Sequence, residues 1–324
     1  MKLVAYVGGL LGLMLLVILL VRADAGAMLH IFALAGWRLL WLVPYRVLFF
    51  TLYAIGWLIL LLPYDRERRA GLGYLLWATT VRDGIDRLLP VASVGGGVVA
   101  VRLLHWRGVS VVAAAASVIV EVLLTLIVAY VFTAMGLLLL VHLRAGGNNY
   151  FRHIVAVFVL SLPVPAAMIL LLRYGSVFKR LEAVLERLVG FNALGEDAAT
   201  LDRELRATLH RGWALVRTGG LQLVAFFSGT FEVWLALRLF GHPVGITPSL
   251  VLECMTQAVR HLAFMIPAGI GVQEAGLMLI GQFVGVSGEL ALAVSMAKRL
   301  REVLCGLPAL LSWQWAEARR LRRR

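Results

Sequence analysis

Runs of apolar residues long enough to cross a lipid bilayer recur along this 324-residue chain, and they constrain its fold more than any other feature. A spanning helix needs about 20 predominantly apolar residues. Six stretches meet this requirement: residues 3–21, 46–63, 111–141, 153–172, 219–240 and 289–315. Apolar residues make up 61% of the chain and charged residues 15%, whereas soluble domains are about half apolar and about a quarter charged. We therefore predict an all-α integral membrane protein without a separate soluble enzyme domain.

The N-terminal region has two apolar stretches of different character. Residues 3–21 form an uninterrupted apolar run that is longer than the typical 7–15 residues of a signal-peptide core, so we predict an uncleaved membrane helix. Residues 26–43 are also apolar, but they include His30 and Arg38 and end before Pro44. This second stretch either lies in the membrane interface or forms half of a broken helix.

The distribution of basic residues predicts the orientation, because cytoplasmic loops are enriched in Lys and Arg. Three basic segments are placed inside: residues 64–70, 173–218 and 319–324. Three segments with few or no basic residues are placed outside: residues 142–152, 241–248 and 281–288. Both termini are then cytoplasmic, and the net charge of +13 is explained by anionic lipid rather than by nucleic acid. Within the long inner segment, residues 178–189 are predicted to form an amphipathic surface helix.

Two apolar stretches, residues 71–104 and 249–281, are interrupted by proline and glycine. The topology requires the first to start and end inside and the second to start and end outside. Each is too short for two full spans at 1.5 Å per residue, so we predict two re-entrant helical hairpins. The residues expected to break these helices are Pro90, Gly95, Gly96, Pro267, Gly269 and Gly271.

The two hairpins align with each other when the sequence is shifted by 177 positions. Pro90 then meets Pro267, and the segment 108–110 meets the identical segment 285–287. The opposite directions of the hairpins predict an inverted repeat over residues 71–141 and 249–315, a design found in transporters with interrupted helices. Chance similarity between two apolar sequences is the alternative explanation.

Charged residues interrupt the last apolar stretch near its centre, where each unpaired charge costs roughly 2.5–3.5 kcal/mol. They are Lys298, Arg299, Arg301 and Glu302. Lys298 and Glu302 lie four residues apart and are predicted to pair. The two arginines need other acceptors, and those available in apolar sequence are Glu121, Glu232 and Glu274.

The hairpins carry further ionisable residues. Those of the first hairpin are Arg82, Asp83, Asp86, Arg87 and Arg102, and those of the second include Arg260 and His261. One interpretation is a set of buried ion pairs that fixes helix packing. The other is a polar cavity that admits a lipid headgroup, or a path for an ion or proton, with arginines binding phosphate. The predicted translocation residues are Arg102, Glu121, Glu232, Arg260, Gln273, Glu274, Lys298, Arg299, Arg301 and Glu302.

Motifs of soluble catalysis do not occur in the sequence, including Walker A, HExxH and GxSxG. The two cysteines, Cys254 and Cys305, form no metal-ligand pattern. We expect no catalytic residues, no metal and no cofactor, and hence no enzyme. An intramembrane enzyme remains an alternative because such a site needs no compact motif.

Several segments resemble a known family. They are FMIPAGIGVQEAG at 264–276, AKRLRE at 297–302, GLPALLSWQ at 306–314, LLPVASVGG at 88–96, AAASVIVE at 114–121 and EVWLALRLFG at 232–241. Together they resemble the lysylphosphatidylglycerol synthase transmembrane-region (flippase-like) family, and within it the hopanoid-biosynthesis-associated, HpnL-type branch. The chain departs from the family pattern at Asp86, where Asn is usual, and at Gly97, near which an acidic residue is usual.

The resemblance implies a multi-pass lipid transporter, or flippase, of the bacterial inner membrane. Its implied partners are membrane lipids, either hopanoids or anionic or aminoacylated phospholipids, and possible hopanoid-biosynthesis proteins. The aminoacyl-transfer domain of some family members is not expected here. A membrane-embedded lipid-modifying enzyme and a scaffold subunit of hopanoid biosynthesis are the alternatives.

Overall fold

The computed structural model describes residues 13–19, 31–65, 67–89, 95–143, 156, 158–160, 162–174, 197–262, 266 and 269–322. These residues form helices joined by short turns, and no strand occurs among them, which confirms the all-α prediction. The α-helices are α1 (Leu42–Leu61), α2 (Leu72–Leu88), α3 (Gly95–Trp106), α4 (Val111–Leu143), α5 (Pro163–Tyr174), α6 (Asp197–Leu209), α7 (Gly212–Leu239), α8 (Ile246–Leu262), α9 (Val272–Phe283) and α10 (Gly288–Leu321).

Within the described residues, three helical stretches are long and apolar enough to cross a membrane: Ile31–Leu61, Val111–His142 and Gly212–Leu239. Helix α10 has 34 residues and a length of about 51 Å, but the charges near its centre make it less apolar. The predicted span at 3–21 lies largely, and the predicted surface helix at 178–189 wholly, outside the described residues. The predicted span at 153–172 is mostly described and ends within α5, where the apolar helix Phe158–Met168 is shorter than the three spanning stretches.

The helical stretch that begins at Ile31 bears on residues 31–43 of the predicted stretch 26–43, and residues 26–30 lie outside the described residues. Residues 31–61 form one helical stretch that passes through a 3-10 turn at Gly36–Trp41 before α1 begins. Pro44 lies in the first turn of α1, directly after the 3-10 turn, and the helical stretch continues through it. Residues 31–43 therefore extend the spanning stretch instead of forming a separate element.

Two helical hairpins, whose helices have matching lengths, lie between the long helices along the chain. The first hairpin, α2 and α3, has helices of 17 and 12 residues, and so does the second hairpin, α8 and α9. These helices are about 26 and 18 Å long, each shorter than the roughly 30 Å hydrocarbon layer. Pro90 and Pro267 lie outside the described residues. Gly269 and Gly271, with φ of 60° and 79°, lead into α9 in a conformation that favours glycine.

The helix bounds and their packing repeat with the predicted offset. Adding 177 to the limits of α3 gives those of α9, and the first residue of α4 maps onto the first residue of α10. The packing is exchanged between the copies, because α10 packs on α2 while α4 packs on α8. A Cβ at Gly84 would lie 3.2 Å from the Gly306 carbonyl oxygen, and a Cβ at Gly136 would collide with Cys254. These glycines therefore allow α10 to pack closely on α2, and α4 to pack closely on α8.

Two apolar cores flank a polar region in the middle of the helices. One core contains Ala54 of α1 and Ala309 of α10, and the other contains Leu42 and Ala297 of the same two helices. On α1, Arg46 falls between these core positions, and on α10 so do residues 298–302. The fold therefore holds the charged side chains between two apolar layers.

Candidate functional site

A layer of buried or half-buried ionisable side chains, called the charged layer below, lies between the two apolar cores. Its basic members are Arg46, Arg82, Arg87, Arg260, Lys298, Arg299 and Arg301, and its acidic members are Asp83, Asp86, Glu121, Glu232, Glu253, Glu274 and Glu302. Among the described residues, the charged layer thus has as many basic members as acidic members. Helix register sets the common depth: Arg260 and Glu302 each lie 14 residues, about 21 Å, beyond the first residue of their helices.

Glu302 lies at the centre of the charged layer, with its side chain only 2% exposed. Arg87 Nη1 of the first hairpin lies 3.2 Å from Glu302 Oε1, and Arg260 Nη2 of the second hairpin lies 3.1 Å from the same oxygen. Arg299 and Arg301, on the same helix as Glu302, approach its carboxylate to 3.4 and 3.8 Å. One carboxylate thus links both hairpins to α10.

The remaining pairs of α10 connect it to α7, α8 and α9. Arg301 pairs with Glu232, and Arg299 Nε lies 3.1 Å from Glu274 Oε1, so both arginines meet acceptors that the sequence had suggested. The predicted pairing of Lys298 with Glu302 is wrong. Lys298 instead pairs with Glu253 of α8, because the arginines occupy the carboxylate of Glu302.

The tip of the second hairpin is held by two residues in the first turn of α9. Glu274 accepts hydrogen bonds from the Gly271 backbone N–H at 2.7 Å and from the Ser295 hydroxyl at 3.1 Å. A carboxylate in this position also interacts favourably with the helix dipole. Gln273 Oε1 accepts from Arg260 Nη2 at 2.6 Å and from Nε at 3.1 Å. The tip thereby orients the guanidinium of Arg260 towards Glu302.

The first hairpin is held by a different set of contacts. Asp86 accepts a 2.9 Å hydrogen bond from the Gly96 backbone N–H, which joins α2 to the first turn of α3. Asp83 lies between Arg46 of α1 and Arg87, and Arg82 pairs with Glu121 of α4. The ionic contacts of these groups on α2 therefore lie within the protein.

A narrow cavity opens beside the charged layer, between α1, α7, α8 and α10. Its charged lining residues are Arg46, Glu232, Glu253, Arg260, Lys298 and Arg301. Four basic and two acidic groups give the lining a formal charge of +2. The open centre is about 10 Å³, close to the minimum that admits one water molecule. In this conformation the cavity is thus nearly closed.

Three polar atoms of this lining are buried without a hydrogen-bond partner. They are the Nε atoms of Arg46 and Arg301 and the Oε1 atom of Glu232. A buried donor without a partner costs about 1–3 kcal/mol. Two arginines of the lining consequently each have a guanidinium donor that is buried without an acceptor.

The described residues contain no group of three or more His, Cys, Asp and Glu side chains arranged to hold a metal ion. His261 Nδ1 donates a 2.7 Å hydrogen bond to the Gln257 carbonyl oxygen. The imidazole ring also stacks on the ring of Phe226. These contacts fix the orientation of the imidazole within α8.

The structure brings nearly all of the sequence-predicted site residues together. Glu121, Glu232, Arg260, Gln273, Glu274, Lys298, Arg299, Arg301 and Glu302 belong to or contact the charged layer. Arg102 does not: its side chain is 57% exposed and pairs with Glu317 near the end of α10. Sequence reasoning missed Arg46 and Glu253. A charged residue inside an apolar stretch was the available signal for Arg46.

Comparison with known proteins gives one match. No curated protein and no solved structure matches the chain. The family model described as the lysylphosphatidylglycerol synthase TM region matches residues 6–308, which include the two hairpins, the charged layer and most of α10. With that match over more than half its length, the chain belongs to the lysylphosphatidylglycerol synthase TM region family of membrane proteins.

Proposed function

We propose that this protein is a lipid transporter of the bacterial inner membrane that carries polar headgroups past the charged layer while the acyl tails remain in the bilayer. The observation that carries the proposal is the cavity, which is lined by buried arginines with unpartnered donors and lies beside two helices long enough to cross the bilayer, α1 and α7. The family is associated with membrane lipids, which agrees with this function. Transport leaves the lipid chemically unchanged, so we propose that the protein is not an enzyme.

A charged headgroup loses its hydration when it leaves water for the interior of the membrane. An isolated charge in hydrocarbon is costly, and a buried ion pair is often no more stabilising than apolar residues of the same volume. The many buried ion pairs of the charged layer are therefore not expected to increase the stability of the folded protein. The charged layer can instead replace the hydration of a charged headgroup with fixed guanidinium and carboxylate groups.

The proposed movement is an alternation of the two hairpins around the charged layer. Both hairpins are linked through Glu302, and the cavity is nearly closed. Displacement of one hairpin from α10 would open the layer towards one face of the membrane. Displacement of the other would open it towards the opposite face, as in transporters built from inverted repeats.

The charges of the lining favour a headgroup that contains phosphate. The excess of basic groups suits an anion, and guanidinium groups bind phosphate oxygens in a bidentate manner. Glu232 and Glu253 would suit an ammonium group on the same headgroup, as in an aminoacylated phospholipid. The proposed substrates are accordingly phospholipids or hopanoids with polar headgroups, and the hopanoid assignment rests on the sequence resemblance.

Reconstituted vesicles test this proposal. The rate at which fluorescent phosphatidylglycerol becomes accessible to an external quencher would be compared for the unchanged protein, Arg301→Lys and Arg102→Lys. Lysine keeps the charge but loses the planar donor geometry, so we expect about tenfold slower transfer for Arg301→Lys. Arg102→Lys, at an exposed pair, should transfer lipid normally.

Two results would contradict the proposal. One is normal transfer by both Arg301→Lys and Arg46→Lys when the variants keep the elution profile and thermal unfolding of the unchanged protein. The other is a chemically altered lipid, detected by mass spectrometry of the recovered vesicles, which would favour a lipid-modifying enzyme.

A further inference from the structure

The carboxylate of Glu302 is surrounded by more cations than any other acidic group in the described residues. Its four arginine neighbours approach on three elements, α2, α8 and α10, at distances of 3.1 to 3.8 Å. A carboxylate offers two oxygens with about four acceptor positions. Four guanidinium groups around one small anion form a cradle that would also fit the oxygens of a phosphate group.

Arg260 depends on Glu302 more than the other arginines do. Arg87 also contacts Asp83, Arg299 contacts Glu274, and Arg301 contacts Glu232. In the part of the chain that the structure describes, Glu302 is the one carboxylate within 4 Å of Arg260, whose other side-chain partner is the neutral amide of Gln273. Glu302 can therefore leave Arg260 at low cost only when another anion takes its place.

The cavity and the cradle of Glu302 share two of these arginines. Arg260 and Arg301 contact Glu302 and also line the cavity, together with Arg46 and Lys298. The unused Nε donors belong to Arg46 and Arg301. An anion inside the cavity would thus meet donors that are already desolvated, and it would compete with Glu302 for Arg260 and Arg301.

We propose that the cavity lined by Arg46, Arg260, Lys298 and Arg301 binds a phosphate-type anion, and that Glu302 is a tethered competing anion which holds Arg260 and Arg301 until that anion enters. This inference rests on the proposed function, because it names the headgroup chemistry that the transporter recognises. It adds a coupling between binding and movement. Release of Glu302 from Arg260 removes its link to the second hairpin while Arg87 still holds the first.

A binding experiment on the purified full-length chain in detergent tests this inference without any transport measurement. The probes are inorganic phosphate, dihexanoyl phosphatidylglycerol and uncharged dihexanoylglycerol. Affinity is measured by calorimetry and by the upward shift of the unfolding temperature that a ligand of the folded state produces. The test variant is Glu302→Gln, and the matched control is Glu317→Gln, which removes the same charge from the pair with the exposed Arg102.

We expect Glu302→Gln to bind the phosphate-containing probes about tenfold more tightly than the unchanged protein, because the competing carboxylate is gone. Glu317→Gln should bind with unchanged affinity, and dihexanoylglycerol should bind to neither variant at the site. Equal affinity for inorganic phosphate and dihexanoyl phosphatidylglycerol would show that the phosphate group alone is sufficient for binding. Tighter binding of the lipid would identify a headgroup site.

Unchanged or weaker binding to Glu302→Gln would overturn the inference, as would equally strong binding of the uncharged lipid. If Glu302→Gln fails to fold, Glu302→Asp decides, since it keeps the charge but withdraws the carboxylate by one methylene. We expect a smaller tightening for Glu302→Asp, and no change would overturn the inference. Tighter binding to Glu302→Gln but no lipid transfer by the unchanged protein would remove the transport proposal and leave this inference standing. Lipid transfer by the unchanged protein without tighter binding to Glu302→Gln would overturn this inference and leave the transport proposal standing.

Discussion

The two hairpins have helices of the same lengths but different relations to the cavity. The second hairpin contributes Glu253, Gln257 and Arg260 to the lining, whereas no lining residue comes from the described part of the first. The first hairpin places its charges in pairs with α1 and α4 and contacts the rest of the charged layer through Arg87 and Glu302. The first hairpin thus supports the other helices through its ion pairs, whereas the second hairpin also forms part of the cavity wall.

At two pairs of positions related by the offset of 177, the two copies carry opposite charges. Asp83 corresponds to Arg260, and Glu121 corresponds to Lys298. Glu121 pairs with Arg82 inside the first copy, and Lys298 pairs with Glu253 inside the second. The reversal of sign places the basic residues Arg260 and Lys298 in the cavity lining.

The largest expected effect concerns the buried pair of the first hairpin. Arg82→Met leaves Glu121, 3% exposed, without its cation, and we expect a loss of about 3–5 kcal/mol in the free energy of unfolding. Adding Glu121→Gln should restore most of this stability and leave lipid transfer normal. Thermal unfolding and the vesicle assay measure the two quantities.

The matched change in the second copy is Lys298→Met with Glu253→Gln, which removes the pair that lines the cavity. This double variant should also regain stability relative to either single variant, but its lipid transfer should fall. Loss of transfer in the first-hairpin double variant would break the distinction between a supporting and a functional hairpin.

An intermediate effect is expected at the start of α3. A Cβ at Gly96 would lie 2.6 Å from the Arg82 carbonyl oxygen, whereas a Cβ at Gly97 would have Val118 Cγ1 as its nearest neighbour at 3.7 Å. Gly96→Ala should therefore destabilise the protein by about 1–3 kcal/mol. Gly97→Ala should be neutral or stabilise it by up to about 1 kcal/mol. Equal unfolding temperatures for the two variants would contradict the close approach of α2 and α3.

The smallest effect is expected for Arg102, the basic residue of the first hairpin that lies at the surface. Arg102→Leu introduces the residue type of its counterpart Leu279 in the second copy. Because the pair with Glu317 is exposed, we expect a change of about 0–1 kcal/mol in unfolding free energy and an unchanged rate of lipid transfer. A clear fall in transfer would return Arg102 to the translocation residues.

Much of the architecture could be predicted because the bilayer imposes simple length and charge rules. The long helices α4 and α10 begin within one residue of the predicted spans, whereas α7 begins at Gly212, seven residues before the predicted start at 219. Gly269 and Gly271 precede α9 as predicted, and Pro90 and Pro267 lie outside the described residues. Gly95 and Gly96 do not break a helix, because they are the first two residues of α3. The acceptors of Arg299 and Arg301 could be suggested since few carboxylates occur in apolar sequence. The pairing of Lys298 could not, because i,i+4 spacing predicts a local partner and ignores a carboxylate on another helix.

Arg46 was missed for a related reason. Division of the sequence at Pro44 placed Arg46 at the start of a helix, where a charge would reach water. In the structure, Arg46 is the midpoint of the 31-residue stretch Ile31–Leu61 and is only 5% exposed. Whether a proline breaks a helix depends on the conformation before it, and here a 3-10 turn leads directly into α1.

The exchanged packing of the long helices has a consequence for biogenesis. Since α4 is completed by α8 and α10 is completed by α2, neither half of the chain can finish its own interior during synthesis. The first half can form the ion pairs of Asp83 and Glu121 by itself, since their cations Arg46, Arg87 and Arg82 belong to the same half. The faces of α2 and α4 that receive α10 and α8 stay open until the second half has been made. The close contacts at Gly84 and Gly136 can therefore form only after the second half has entered the bilayer, and we expect the joining of the two halves to be a late step of folding.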